Sequence, residues 1–263
     1  MSGLRPSAAF ATDVGGGRRN NEDAALETTV GGPDGPYALW IVADGVGGGP
    51  RGELASRTAV ESVVEVLSAA GWTDPRAGLV EAFSLANRRV YALGSGEAGE
   101  HASVMGSTLV AALVSERTGA ATVGNVGDSR AYLVGPDRIL QVTEDHSLIA
   151  QRVRSGLVDA ADARTAPERN VLTRGIGGEP TVTVDTFGPG VLGPGERLVL
   201  CSDGLHDPVP DEQIAAIVRA STIEAAPAAL VAAALAAGGR DNVTALVGGP
   251  AGRTRTRDDG GPR

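Results

Sequence analysis

The chain has 263 residues, enough for one large domain or two small ones, and 42% of them are hydrophobic, enough to build a core. A formal net charge of −9 argues against nonspecific attraction to nucleic acid, which depends on basic side chains neutralising phosphates. All 23 basic residues are arginine, which excludes chemistry that needs a lysine amine: Schiff bases, pyridoxal phosphate attachment and the phosphate-loop lysine.

Short apolar runs rich in Val, Leu and Thr, closed by Gly, Pro or Asp, predict strands at 8–12, 37–43, 107–114, 119–126, 130–134, 138–142, 181–187, 196–201 and 242–247. Between 51 and 70 the apolar residues Ala55, Ala59, Val60, Val63, Val64 and Leu67 fall on one helical face. Residues 76–93 and 210–237 give further helical patterns, the second broken near Thr222 to Pro227. Hairpin-like strand runs set apart from helical stretches indicate an antiparallel α+β domain. Residues 145–180 form a long, polar, Arg-rich connection, of the length that belongs to functional flaps.

The expected organisation is an N-terminal extension over 1–7, one domain over 8–247 and an unstructured tail over 248–263, where no apolar face is available. Met1 to Ser7 lacks the apolar core of a signal peptide, and no run nears the ~18 apolar residues of a membrane span. Cytoplasmic residence without membrane contact is the expectation. Cys201 is the sole cysteine, so an intramolecular disulfide is excluded and a thiolate zinc site is disfavoured. Inside Leu198-Val-Leu-Cys201 it reads as a small core residue.

Four acidic stretches sit where an apolar run meets a turn: Trp40-Ile-Val-Ala-Asp44-Gly45, Val123-Gly-Asn-Val-Gly-Asp128, Leu198-Val-Leu-Cys-Ser-Asp203-Gly204 and Arg240-Asp241-Asn242. One Asp beside Gly is ordinary turn chemistry, but the same arrangement from four distant places suggests a pooled negative site that needs cations. Hard oxygen ligands of this kind favour Mg²⁺ or Mn²⁺. Glu22 and Asp23 add two carboxylates, and as neighbours in extended backbone they face opposite sides, so only one can touch a metal directly. Arg18 offers a fork of donors suited to two phosphoryl oxygens. Two such metals can lower the pKa of a shared water and balance charge on a transferring phosphoryl group, with no protein nucleophile required.

Eight motifs then occur in order: Asp13-x-Gly-x-x-Arg18-x-x-Asn21-Glu22-Asp23, Ala43-Asp44-Gly45-Val-Gly-Gly, Met105-Gly-Ser-Thr108, Asn125-Val-Gly-Asp128-Ser-Arg130, Thr143-Glu-Asp-His146-Ser147, Leu172-Thr-Arg174-Gly-Ile-Gly, Cys201-Ser-Asp203-Gly-Leu205 and Asp241-Asn-Val-Thr244. This set resembles the metal-dependent serine/threonine phosphatases of the protein phosphatase 2C family, in their bacterial form. The resemblance implies a four-layer α-β-β-α sandwich with two central antiparallel sheets. It implies two Mn²⁺ or Mg²⁺ ions, with Asp44 bridging both, the Gly45 carbonyl on one, and Asp203 and Asp241 on the other. Glu22 and Asp23 would hold metal-bound waters, Asp128 with Asp203 would form a weaker third metal site, and Arg18 would grip the substrate phosphate. A water activated between the cations would hydrolyse phosphoserine and phosphothreonine in proteins, the products of a serine/threonine kinase, and the enzyme would act as a monomer.

One part of the family pattern is missing. Many relatives carry a histidine just after the Asp-Gly motif, or in a His-Pro of the flap, as candidate acid for the leaving oxygen; those positions here look like Gly49 and Ala166. His146 reads as a structural hydrogen-bonding residue, and His101 and His206 have no motif support. Protonation would then fall to a metal-bound water, or turnover of poor leaving groups would be slow. The gap motivates an alternative, a noncatalytic phosphoprotein-binding pseudophosphatase, although the metal ligands are all in place. A structural Ca²⁺ site is a third reading, disfavoured by the lack of an Asp-x-Asp-x-Asp-Gly loop.

Overall fold

The computed structural model describes residues 6–47, 50–69, 71–95, 105–163 and 166–250. In chain order the elements are β1 (Pro6–Asp13), β2 (Asp23–Gly32), β3 (Gly35–Val46), α1 (Pro50–Ser68), α2 (Pro75–Ser95), β4 (Gly106–Ser107), β5 (Leu109–Ser115), β6 (Ala120–Val126), β7 (Arg130–Val134) and β8 (Ile139–Gln141). They continue with α3 (Leu148–Arg154), α4 (Ala160–Ala163), β9 (Asp185–Val191), β10 (Arg197–Cys201), α5 (Asp203–His206), α6 (Asp211–Ala220), α7 (Ala226–Ala236) and β11 (Val243–Pro250).

The strands form two antiparallel sheets, β1-β11-β10-β7-β8 and β2-β3-β5-β6-β9, with the short β4 beside β3. The period-two geometry of β3 shows why they stack. Leu39, Ile41 and Ala43 face one way, into a core shared with Ala55, Ala59, Val63 and Leu67 of α1 and Leu79, Phe83 and Val90 of α2. Ala38, Trp40 and Val42 face the other way and meet Ala131, Leu133, Leu198, Leu200 and Leu246 of the second sheet. The outer face of that sheet, through Tyr132, Val199, Cys201 and Val247, packs on Ile214 and Val218 of α6 and Leu230 and Ala234 of α7. Three apolar interfaces therefore separate four layers, helix, sheet, sheet and helix. Each fully buried Leu, Val or Phe contributes roughly 1.5–3 kcal/mol, so the double-faced strands supply most of the driving force. Among the described residues no helix is long and apolar enough to cross a membrane.

The helix expected over 51–70 is α1, and the break expected near Thr222 to Pro227 separates α6 from α7. Two strand expectations need correction, the missed β2 and the run at 181–187. The strand β2 has no counterpart among those predicted: it is a sheet edge whose one face carries half-buried Ala25 with exposed Glu27 and Thr29, and whose other carries Ala24, Leu26 and Val30, of which only Val30 is fully buried, so its burial contrast is weak. The run at 107–114 is borne out: β4 and β5 pair with β3 in one continuous register, and between them the Thr108 N–H donates to the Asp44 carbonyl at 2.8 Å. The strand expected at 181–187 lies at 185–191, where Asp185 to Val191 pairs with β6.

The terminal strands also reach further than 8–247. Pro6 pairs with Pro250 and Ser7 with Gly249, so both ends of the chain close one sheet edge. Residues 1–5 and 251–263, the rest of the expected extension and tail, lie outside the described residues, as do Gly49 and His101. The flap is tied back to the sandwich at its two ends. Thr173 N–H donates to the His146 carbonyl at 2.8 Å, and Ser107 and Ile176 exchange backbone bonds at 3.0 and 2.7 Å.

Candidate active site

The register of the sheets delivers the acidic residues to one end of the sandwich. In one sheet Asp23, the first residue of β2, lies directly opposite Asp44 on β3. In the other, Cys201 pairs with Ala245 on one side and Arg130 on the other. Asp203, Asp241 and Asp128 each stand two residues beyond a strand end on that same edge, Asp203 opening α5. A hydrogen bond joins the two sheets at this end: Ser202 Oγ donates to Asp23 Oδ2 at 2.8 Å.

These carboxylates crowd one another. Asp44 is pushed well above the usual carboxylate range by burial, and then by the charges of Asp23, Asp203, Asp128 and Asp241. Asp203 is raised in the same way, by burial and then by Asp128, Asp207, Asp241 and Asp23. Burial lifts Asp128 to about 7, and Asp145 adds to it. Asp23 rises to about 6, mainly through burial, although hydrogen bonds from Thr244 and Ser202 work against it. Its Oδ1 is buried without a hydrogen-bond partner. A cluster of mutually repelling carboxylates containing an orphaned oxygen is a fit for hard divalent cations, which would satisfy both the charge and the lone pair.

The supporting contacts hold the cluster in register. Asp44 N–H donates to Thr108 Oγ1 at 2.9 Å, and Thr108 Oγ1 lies 2.7 Å from Ser129 Oγ, the neighbour of Asp128. The Asp44 carbonyl accepts from Ser107 Oγ at 3.0 Å. Gly45 N–H donates to the Glu22 carbonyl at 3.1 Å, which fixes the Gly45 peptide beside Asp44. Gly204 packs so closely on the Asn242 carbonyl that a Cβ would run into it. Asn242 itself is buried; its Oδ1 accepts from Glu22 N–H at 2.8 Å, and its Nδ2 donates to the Val14 and Asn20 carbonyls at 2.9 Å each. Thr108, Ser202 and Asn242 were visible in the sequence only as members of motifs. For Ser202 and Asn242 the available signal was a polar residue next to an acidic turn; Thr108, with no acid beside it in sequence, carried none.

Glu22 and Asp23 diverge as extended backbone requires. Asp23 joins the carboxylate cluster, while the Glu22 side chain fills the space beside Gly52 at the start of α1. Arg18 reaches the rim, donating from Nη2 to Asp241 Oδ2 at 2.7 Å. Asp241 Oδ1 accepts from Asn242 N–H at 2.8 Å, so both oxygens of Asp241 are engaged. As placed, no three His, Cys, Asp or Glu side chains among the described residues suffice to hold an ion.

Neither histidine in the described residues supplies an acid. Gly127 N–H donates to His146 Nδ1 at 2.9 Å, which leaves the proton on Nε2, 2.9 Å from Asp185 Oδ2. Burial lowers the His146 pKa, so the ring is a neutral brace between the Asp128 turn and β9. His206 is buried with Nε2 3.0 Å from the Asp128 carbonyl, which can only accept, so that nitrogen carries its proton into a structural bond. Ala166, in the flap, has no ionisable group.

Comparison with known proteins agrees with this geometry. The family model for protein phosphatase 2C matches residues 17–237. The serine/threonine phosphatase stp of Listeria innocua is 34% identical over 252 residues, covering 91% of this chain and 94% of its own. The crystal structure of the serine/threonine phosphatase Stp1 from Staphylococcus aureus superposes with a TM-score of 0.84 at 32% identity, covering 95% of this chain and 97% of that one. The catalytic domain of the serine/threonine protein phosphatase PstP, solved in complex with two manganese ions, gives 0.77 at 29% identity over 93% of this chain and 97% of its own. The chain therefore belongs to the protein phosphatase 2C family, as a serine/threonine protein phosphatase of the bacterial type.

Proposed function

We propose that the enzyme removes phosphate from phosphoserine and phosphothreonine in proteins, using two Mn²⁺ or Mg²⁺ ions held by the acidic cluster. The observation that carries the reading is the crowding of Asp44 by Asp23, Asp203, Asp128 and Asp241, from strands and turns of both sheets, with Arg18 at its rim. Asp44 and the Gly45 carbonyl would hold one ion, and Asp44, Asp203 and Asp241 the other. Asp128 with Asp203 would hold a weaker third. When bound, the cations would supply a nucleophilic water at neutral pH and charge balance for the phosphoryl group.

The chain's own residues do the rest. Arg18 binds two phosphoryl oxygens through its guanidinium fork, a role that requires it to leave Asp241. Asp23 and Glu22, on either side of the β2 start, accept hydrogen bonds from waters in the cleft and so orient them. Thr108 and Ser107 fix the Asp44 peptide, which sets where the bridging carboxylate points. With His146 and His206 committed to structural bonds, the leaving oxygen is protonated from water, and substrates with good leaving groups turn over faster. The substrates are products of a serine/threonine kinase, and the enzyme acts as a monomer.

The test is hydrolysis of p-nitrophenyl phosphate and a phosphothreonine peptide with Mn²⁺, by wild type and Asp203→Ala. Activity on both is expected for the wild type, and loss on chelation or substitution. Activity indifferent to both changes would remove the reading, and tight phosphopeptide binding without turnover would favour a pseudophosphatase.

A further inference from the structure

A cavity of about 460 Å³ opens beside Asp203 and Asp241, between the flap residues Arg169 and Asn170 and the turn Ala237–Asp241 that leads into β11. Its volume falls in the range of ligand-binding clefts, and no large apolar side chain lines it. The groups it presents are charged or amide. Asp203 and Asp241 belong to the proposed metal cluster, and Asp207 is held by Arg169 at 3.4 Å. Arg240 is exposed and forms no ion pair among the described residues.

Three other arginines near the cluster are already committed. Arg18 is on Asp241, Arg130 is on Asp145 at 2.7 Å, and Arg174 is on Asp185 at 2.8 Å. Arg240 also has a fixed base. The Gly15–Gly17 loop packs directly on its backbone, where a Cβ at Gly17 would run into the Arg240 carbonyl, and Gly16 N–H donates to the Gly239 carbonyl at 2.9 Å. The same loop carries Arg18 and the exposed Arg19. A protein with a net charge of −9 thus places an exposed arginine, without an ion pair among the described residues, in the lining of a polar cleft and next in sequence to a proposed metal ligand.

We propose that this cleft receives the residue flanking the phosphorylated one in a protein substrate, and that Arg240 selects a second negative charge there. The inference rests on the phosphatase reading above. Two sources share the chemistry, an acidic side chain or a second phosphate, and both would meet the guanidinium through charge-assisted hydrogen bonds.

The test uses the full chain with Mn²⁺ and four phosphothreonine peptides whose flanking residue is Glu, phosphoserine, Ala or Arg, and reads the ratios of kcat/KM for loss of the threonine phosphate alone, followed by mass spectrometry. Wild type is expected to prefer the Glu or phosphoserine peptide over the Ala peptide by about threefold to fivefold, the size of an exposed ion pair. Arg240→Ala should bring that ratio to about one, and Arg240→Glu should turn it in favour of the Arg peptide. A phosphoserine preference well above the Glu preference assigns the source as a second phosphate, and equal preferences assign charge alone. A wild-type ratio of one, or a ratio unchanged in Arg240→Ala, would overturn the proposal. Failure of wild type to hydrolyse p-nitrophenyl phosphate would instead strike the phosphatase reading, so the two failures are distinguishable.

Discussion

Replacing Asn242 by Ala tests whether the substrate-side loop is held by one buried amide. Asn242 makes three hydrogen bonds to backbone groups more than 200 residues away, accepting from Glu22 N–H and donating to the Val14 and Asn20 carbonyls. Together they pin both ends of the segment that carries Arg18. At about 1 kcal/mol for each bond the loss is about 3 kcal/mol, and more if the Glu22 N–H is left without a partner. For a domain of this size, roughly 2–4 °C of melting temperature follows each kcal/mol, so a fall of about 6–12 °C is expected. Urea unfolding in a chelator measures the stability, and p-nitrophenyl phosphate kinetics with Mn²⁺ measure the site. KM should rise with the loosened Arg18. Asn242→Asp keeps the acceptor for Glu22 but loses both donors, so it should lose much of the same stability. A change below about 0.5 kcal/mol with unaltered KM would refute the reasoning, because that is the effect of an unengaged surface residue.

Arg18→Ala should raise KM for the aryl phosphate roughly tenfold to hundredfold, the loss of a charge-assisted bond, and should tighten Mn²⁺ binding measured by calorimetry without substrate. Weaker Mn²⁺ binding would contradict the competition between Arg18 and the cation for Asp241. The pKa shifts of Asp23, Asp128, Asp44 and Asp203 are all upward. Their contribution to stability is therefore complete below the ordinary Asp value of 3.8 and lost as pH rises through about 6 and about 7. The melting temperature in EDTA should fall from about pH 5 to about pH 8 and Mn²⁺ should remove the fall; a flat profile in EDTA would argue that the carboxylates do not repel one another. Gly204→Ala drives a Cβ into the Asn242 carbonyl, and displacement of the adjoining Asp203 should lower kcat by about a hundredfold with the fold retained by circular dichroism.

The layers were legible where both faces of a strand are buried. The run Tyr37 to Ala43 announces itself because neither face tolerates a polar side chain, and α1 because its apolar residues keep to one side. The edge strand β2 gave no such signal, since one of its faces meets solvent and backbone pairing with β3 does the work that side-chain burial does elsewhere. Backbone pairing is nearly independent of side-chain identity, so pattern reading is weakest at edges. The same reason explains Pro6, Ser7 and Gly248 to Pro250, which form strand through the β1–β11 ladder despite carrying little hydrophobic signal.

For the site, the clustered aspartates were legible because a carboxylate closing an apolar run has no packing role to explain it. The contacts that complete the site were not, and their sequence separations say why. Arg18 and Asp241 stand 223 residues apart, and Asp23 and Ser202 stand 179 apart. No local spacing predicts which residue of one loop meets which residue of another. That limit bears most on Arg18. Sequence reasoning could assign it a phosphate by the chemistry of its fork, but not its ion pair with Asp241. On the proposed reading the pairing would make it more than a substrate clamp: the guanidinium that pairs with Asp241 would become available to phosphate if a cation took its place. Metal and substrate affinity would then be linked through one side chain, and a change at Arg18 would move both.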